Sequence, residues 1–170
     1  MFDMLYAAGR IQLGRVRLIV AAAVAALLCA ISPLHAQAFE PLLGAWSGGG
    51  EVSFGSNKNE RIKCTAYNTG GGSDLRMVIR CAAPSYKIEI RSKLVKSGSS
   101  LTGEWEERTY NATGAASGRL GDGSVKLAIT GGGFTGSMDV NFTAASQSIV
   151  IRATGIEMKS ARINLSRSGG

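Results

Sequence analysis

From residue 45 onward, apolar and polar residues alternate with a period of two, and that alternation leaves little choice of fold. Tyr86-Lys87-Ile88-Glu89-Ile90-Arg91 shows it most cleanly, apolar on one face and charged on the other. A strand sends successive side chains to opposite faces, so such a segment has one buried side and one wet side. Leu75, Met77, Ile79 and Cys81 alternate with Arg76 and Arg80 in the same way, and Ile62, Cys64 and Ala66 alternate with Arg61, Lys63 and Thr65. Further strands are predicted near 46–55, 101–109, 113–120, 124–130, 134–142, 147–153 and 158–166, and no helical stripe of useful length interrupts them. Turn residues separate the strands, among them Ser56-Asn57-Lys58-Asn59, Gly70-Gly71-Gly72, Ser97-Gly98-Ser99, Gly121-Asp122-Gly123 and Gly131-Gly132-Gly133.

Turn signals about every ten residues describe an all-β antiparallel meander of about 8–10 strands. The edges of such a meander must be managed, and closure removes them, so the expected architecture is a small soluble up-and-down β-barrel. A β-sandwich is the alternative. An outer-membrane barrel would carry an apolar band on its outside, whereas the polar face here is rich in arginine and lysine.

Residues 1–38 read differently. Arg10, Arg15 and Arg17 precede an apolar run from Leu18 to Ile31, followed by Pro33 and Ala36-Gln37-Ala38, the small-x-small pattern of a signal-peptidase site. The run of 14 residues falls short of the roughly 20 needed to span a bilayer. The expected organisation is therefore a signal peptide, 1–38, and a single all-β domain, 39–170, with no transmembrane segment in the mature protein. Export to the periplasm or beyond the cell follows. The leader would also remove His35, the only histidine, and Cys29. A mature chain without imidazole lacks the usual base near neutral pH and the commonest metal ligand, so neither a metal nor a cofactor is expected. Cys64 and Cys81 remain, and in an oxidising compartment they are expected to pair. Direct pairing across two strands would centre their hairpin on Gly72-Ser73.

Gly44-Ala45-Trp46 at the start of the first strand, with Arg162 on the last, resembles the calycin pattern of lipocalins and of the bacterial metalloprotease-inhibitor barrels. The resemblance implies a barrel in which Trp46 plugs one end and Arg162 packs across it. It also implies an alternative role as a protease inhibitor, with the segment Phe39 to Leu43 reaching into a protease cleft. A second Leu-x-Gly-x-Trp at Leu101 to Trp105 is taken as an independent strand start. Because Glu106 and Glu107 follow Trp105, that indole is expected partly exposed near a rim.

Three site hypotheses remain. Arg61, Lys63, Arg76, Arg80, Lys87 and Arg91 fall on the polar face of three neighbouring strands and could meet an anionic envelope component. With no aromatics interleaved, nucleic acid is disfavoured. Glu104 and Glu106 share a face about 7 Å apart at the strand rise, a spacing found in inverting glycosidases, but paired acids on one strand face are usually solvated. The third is an open interior lined by Trp46, Met77, Ile79, Ile88, Ile90, Phe134, Met138 and Ile149, which would hold a hydrophobic small molecule. The sequence reading is thus an exported, non-catalytic binding barrel of the cell envelope. The alternatives are the protease inhibitor and a structural protein that uses its basic face.

Overall fold

The computed structural model describes residues 39–169. The predicted leader, with Cys29 and His35, lies outside the described residues. Ten strands follow one another in order: β1 (Gly44–Phe54), β2 (Asn59–Gly71), β3 (Asp74–Ala82), β4 (Lys87–Ser97), β5 (Ser100–Glu107), β6 (Ala112–Gly121), β7 (Ser124–Gly131), β8 (Phe134–Phe142), β9 (Ser146–Thr154) and β10 (Met158–Arg167). Each pairs antiparallel with its sequence neighbour, and β1 pairs with β10 to close the barrel. The expected meander is therefore a closed up-and-down barrel, and the sandwich alternative is set aside. Closure leaves every strand with two hydrogen-bonded neighbours, so no edge is open to another chain.

Most apolar side chains point inward and most charged ones outward along the strands. In β3 the buried residues are Leu75, Met77, Ile79 and Cys81, while Arg76 and Arg80 are exposed. Only Tyr67, Val95 and Tyr110 are exposed large hydrophobics among the described residues, so the outer surface lacks the apolar band of a lipid-facing barrel. No helix among them is long and apolar enough to cross a membrane. Cys64 on β2 lies directly opposite Cys81 on β3, with Cα atoms 4.1 Å apart, and the two form a disulfide. Their hairpin turns at Gly72-Ser73 as the pairing requires, and Gly72 takes the left-handed φ of +60° that glycine adopts without strain. Inward glycines let the strands curl tightly. A Cβ on Gly118 of β6 would lie 1.8 Å from the Lys126 carbonyl oxygen on β7, so no side chain fits there.

One end of the barrel is filled. A single 3₁₀ turn (Glu40–Leu42) precedes β1 and packs Phe39 and Leu42 into that end, where both are buried beside Trp46. The carbonyl of Leu42 accepts from the Trp46 indole at 3.0 Å and from the Asn68 amide at 2.9 Å. Trp46 is thus the expected plug. Its cationic partner is a correction. Arg162 faces outward opposite Glu51, and it is Arg167 whose guanidinium sits 4.3 Å from the indole ring centre. Parity explains the change, because the inward positions of β10 are Ala161, Ile163 and Leu165, and 167 continues that series. Arg167 also donates to the carbonyls of Ala144, Leu43 and Pro41 at 2.6, 2.7 and 2.9 Å. Gly44, at φ +100°, turns the chain into β1 beneath that guanidinium. The segment Phe39 to Leu43, expected to reach into a protease, is instead folded into its own barrel.

Candidate functional site

The other end of the barrel is open. A cavity of about 1240 Å³ runs inward from it, lined by side chains from all ten strands and by the loops that join β1 to β2, β3 to β4, β5 to β6, β7 to β8 and β9 to β10. That volume exceeds the usual range of small-molecule pockets, roughly 300–1,000 Å³. Of the eight residues predicted to line an open interior, Met77, Ile79, Ile88, Ile90, Phe134 and Met138 do so. Trp46 and Ile149 do not, because they belong to the packed end, where they are 1% and 0% exposed. Ala112, Ala116 and Ala161 supply wall without filling the space.

Trp105 sits in this wall, 8% exposed. Its expected exposure at a rim is therefore corrected: Glu106 points outward, and the indole on the neighbouring inward position points into the barrel. The indole donates to the Thr130 carbonyl at 3.2 Å and stacks obliquely on Phe134, with ring centres 5.3 Å apart. The two Leu-x-Gly-x-Trp copies thus end in unlike places, as the reading of independent strand starts anticipated. Trp46 is a plug and Trp105 a cavity wall.

Glu107, two residues on, shares that inward face and is also buried. Its carboxylate accepts from the backbone N–H groups of Glu89 and Thr109, each at 3.0 Å, and of Tyr110 at 2.6 Å. Burial pushes its pKa up, but these donors pull harder, and it lies below the ordinary carboxylate value. Glu107 is therefore an anion fixed in the cavity wall, tying the β5–β6 loop to β4. Also in the lining, just before β4, Tyr86 packs edge-on against Phe54, with ring centres 5.9 Å apart. The Tyr86 hydroxyl is buried and has no hydrogen-bond partner among the described residues. Burial and the nearby Glu60 carboxylate raise its pKa, so it stays protonated. Glu60 itself is held by Lys58 and by the Ser85 hydroxyl, at 2.9 and 2.7 Å from its two oxygens.

Sequence reasoning did not single out Tyr86 or Phe54 as site residues, although Tyr86 shares the face of Ile88 and Ile90. Glu107 was legible as an acid that shares the face of Trp105, and so as a residue of the barrel mouth. The outward acids behave as surface charge. Glu104 pairs with Lys93 at 3.4 Å, and Glu106 lies 3.9 Å from Arg91, so neither reaches the cavity. The six basic residues do share the outer face of β2, β3 and β4, but Glu89 pairs with both Arg80 and Arg91. Arg61, Lys63, Arg76 and Lys87 form no ion pair among the described residues. No cluster of metal-ligating side chains occurs among them either.

With this geometry in place, comparison with known proteins gives a family and a fold. Residues 30–134 match the family described as "Protein of unknown function (DUF1120)", and the chain belongs to that family. No curated protein matches the sequence. Among solved structures the barrel is similar to Rv2717c from M. tuberculosis, with a TM-score of 0.61 and 15% identity over 81% of this chain and 99% of that one. It is also similar to the S-type phycobiliprotein lyase CPES from Guillardia theta, with a TM-score of 0.53 and 15% identity over 78% of this chain and 91% of that one. At such identities the likeness speaks for the fold alone, and it agrees with the barrel expected from the sequence.

Proposed function

We propose that this member of a family of unknown function is a non-catalytic binding protein of the cell envelope that takes an apolar small molecule into the open end of its barrel. The observation that carries the reading is the cavity of about 1240 Å³, walled by apolar side chains from every strand while the opposite end is packed solid. A space of that size with an apolar wall favours an apolar ligand, since burying such surface yields about 25 cal/mol per Å². Binding is preferred over catalysis because three backbone donors already engage the carboxylate in the wall. An envelope location is supported by the disulfide and by the signal-peptide pattern of residues 1–38. The protease-inhibitor alternative loses its instrument, because Phe39 and Leu42 are buried in the packed end.

The test is a titration with the neutral fluorescent probe N-phenyl-1-naphthylamine. Saturable binding of one probe per chain is expected, with quenching of Trp105. Ala116→Phe, which fills the wall of β6, should abolish binding while leaving the β-sheet circular dichroism intact. An unmodified, folded protein that takes up no probe would refute the reading. A second reading rests on Arg61, Lys63, Arg76 and Lys87, which form no ion pair among the described residues and share the outer face. They favour attachment to an anionic envelope component, which should weaken with added salt.

A further inference from the structure

We propose that the open cavity selects an apolar cation, an amine or quaternary ammonium on a hydrocarbon body, over a carboxylate of equal size. The proposal rests on the binding-barrel reading above and names the ligand class of that site. Its first support is the charge inside the wall. Glu107 is 8% exposed and has no basic side chain within ion-pair distance among the described residues. Its charge is held by neutral donors, the three backbone N–H groups and the Thr109 side chain. The lysines at the mouth are already engaged, Lys58 with the Glu60 carboxylate and Lys159 with the Ile156 carbonyl at 3.3 Å. Glu157, also at the mouth, has no ion-pair partner among the described residues. A carboxylate entering here would be desolvated beside a fixed anion, in a lining whose three carboxylates, Glu60, Glu107 and Glu157, outnumber its two lysines, Lys58 and Lys159.

The second support is aromatic. Phe54 with Tyr86 and Trp105 with Phe134 place two ring pairs in the cavity wall. Ring faces carry negative quadrupole density, which attracts ammonium groups most strongly when water is excluded. The Tyr86 hydroxyl, buried without a partner, adds a polar contact there that can accept from an amine or donate to an anion, so the charge preference rests on Glu107 and the rings. Together these place the charged head at the mouth between Glu107 and Tyr86, with the apolar body directed inward toward Met77 and Met138. The basic outer surface does not oppose this at physiological salt, where screening sets in within about 8 Å.

Three probes of matched length on the unmodified protein decide the matter: decylamine, decanol and decanoate, each displacing N-phenyl-1-naphthylamine at constant ionic strength. Decylamine is expected to bind tightest and decanoate weakest, with roughly tenfold or more between the extremes, given typical cation–π strengths and the energy of a tenfold step. Glu107→Gln should narrow that gap, with its thermal melt recorded to confirm folding. Decanoate binding as well as decylamine would overturn the charge preference and leave the binding barrel standing. Displacement by none of the three, with the neutral probe itself unbound, would overturn both. An unchanged gap in folded Glu107→Gln would overturn the proposal, since the preference would then not come from the charge in the wall.

Discussion

The two ends of the barrel are written in the same alternation and built for opposite purposes. At the packed end the inward positions carry Leu75, Leu94, Leu101, Val125, Val140 and Leu165, all at most 2% exposed, and a turn of chain seals them. At the open end the inward positions carry alanine, methionine, isoleucine and aromatics around a space they do not fill. Period two therefore says which way a side chain points, and its size says whether the space closes. The two tryptophans make the same point, because one indole is surrounded by side chains and the other has a cavity on one side.

Measurements of stability can break this comparison. Trp46→Ala should cost roughly 3–5 kcal/mol, as large-to-small aromatic changes in packed cores do. Trp105→Ala should cost clearly less, roughly 1–2 kcal/mol, because part of its surface has no protein packed on it. Chemical denaturation of both beside the parent protein tests the pair, and equal losses would mean that the open end is as tightly packed as the closed one. Next in size is the disulfide. Reducing the Cys64–Cys81 bond, which spans 17 residues, should cost about 3 kcal/mol in the chain-entropy model. Free-thiol labelling of the denatured, unreduced protein should find neither cysteine.

Arg167→Ala should cost about 1–2 kcal/mol, since it removes the contact over Trp46 and leaves three carbonyls of the seal without their donor. Arg162→Ala should stay within about 0.5 kcal/mol, as surface changes do. A larger loss at 162 than at 167 would reverse the assignment of the plug. The smallest effect belongs to pH. Because the folded-state pKa of Glu107 is depressed, its contribution is fully present above the ordinary carboxylate value and is lost as pH falls through the lowered one. Glu60 and Glu89, both lowered by hydrogen bonds to basic neighbours and, for Glu60, Ser85, act in the same direction. Denaturation midpoints followed from pH 7 into the acid range should therefore fall less steeply in Glu107→Gln than in the parent.

Much of this was legible in the sequence. Each predicted strand overlaps an observed one, and the facing of Arg76 against Met77, or of Ile88 against Glu89, followed directly from alternation. The cysteines were readable because both lay on the apolar parity of adjacent strands. Trp105 was misplaced because the charges after it were weighed as a local environment, although alternation sends Glu106 and Trp105 to opposite faces. Arg162 was chosen by resemblance to a family pattern, while the parity of Ile163 and Leu165 pointed to Arg167. The cavity was the least legible feature, since emptiness arises from how ten strands curl around one another and no single strand records it.

The seal at the packed end joins residues far apart along the chain. Arg167 reaches Pro41 and Leu43 across 126 and 124 positions of sequence, and β10 must lie beside β1 for the ring to close. Contacts of such separation form late and slowly. Until the last strand docks, β1 and β9 each present an unpaired edge, which is the state most prone to aggregate or to exchange strands with another copy. The barrel's most sensitive moment is therefore its closure. The same guanidinium that covers Trp46 also ties the last strand to the segment that precedes the first.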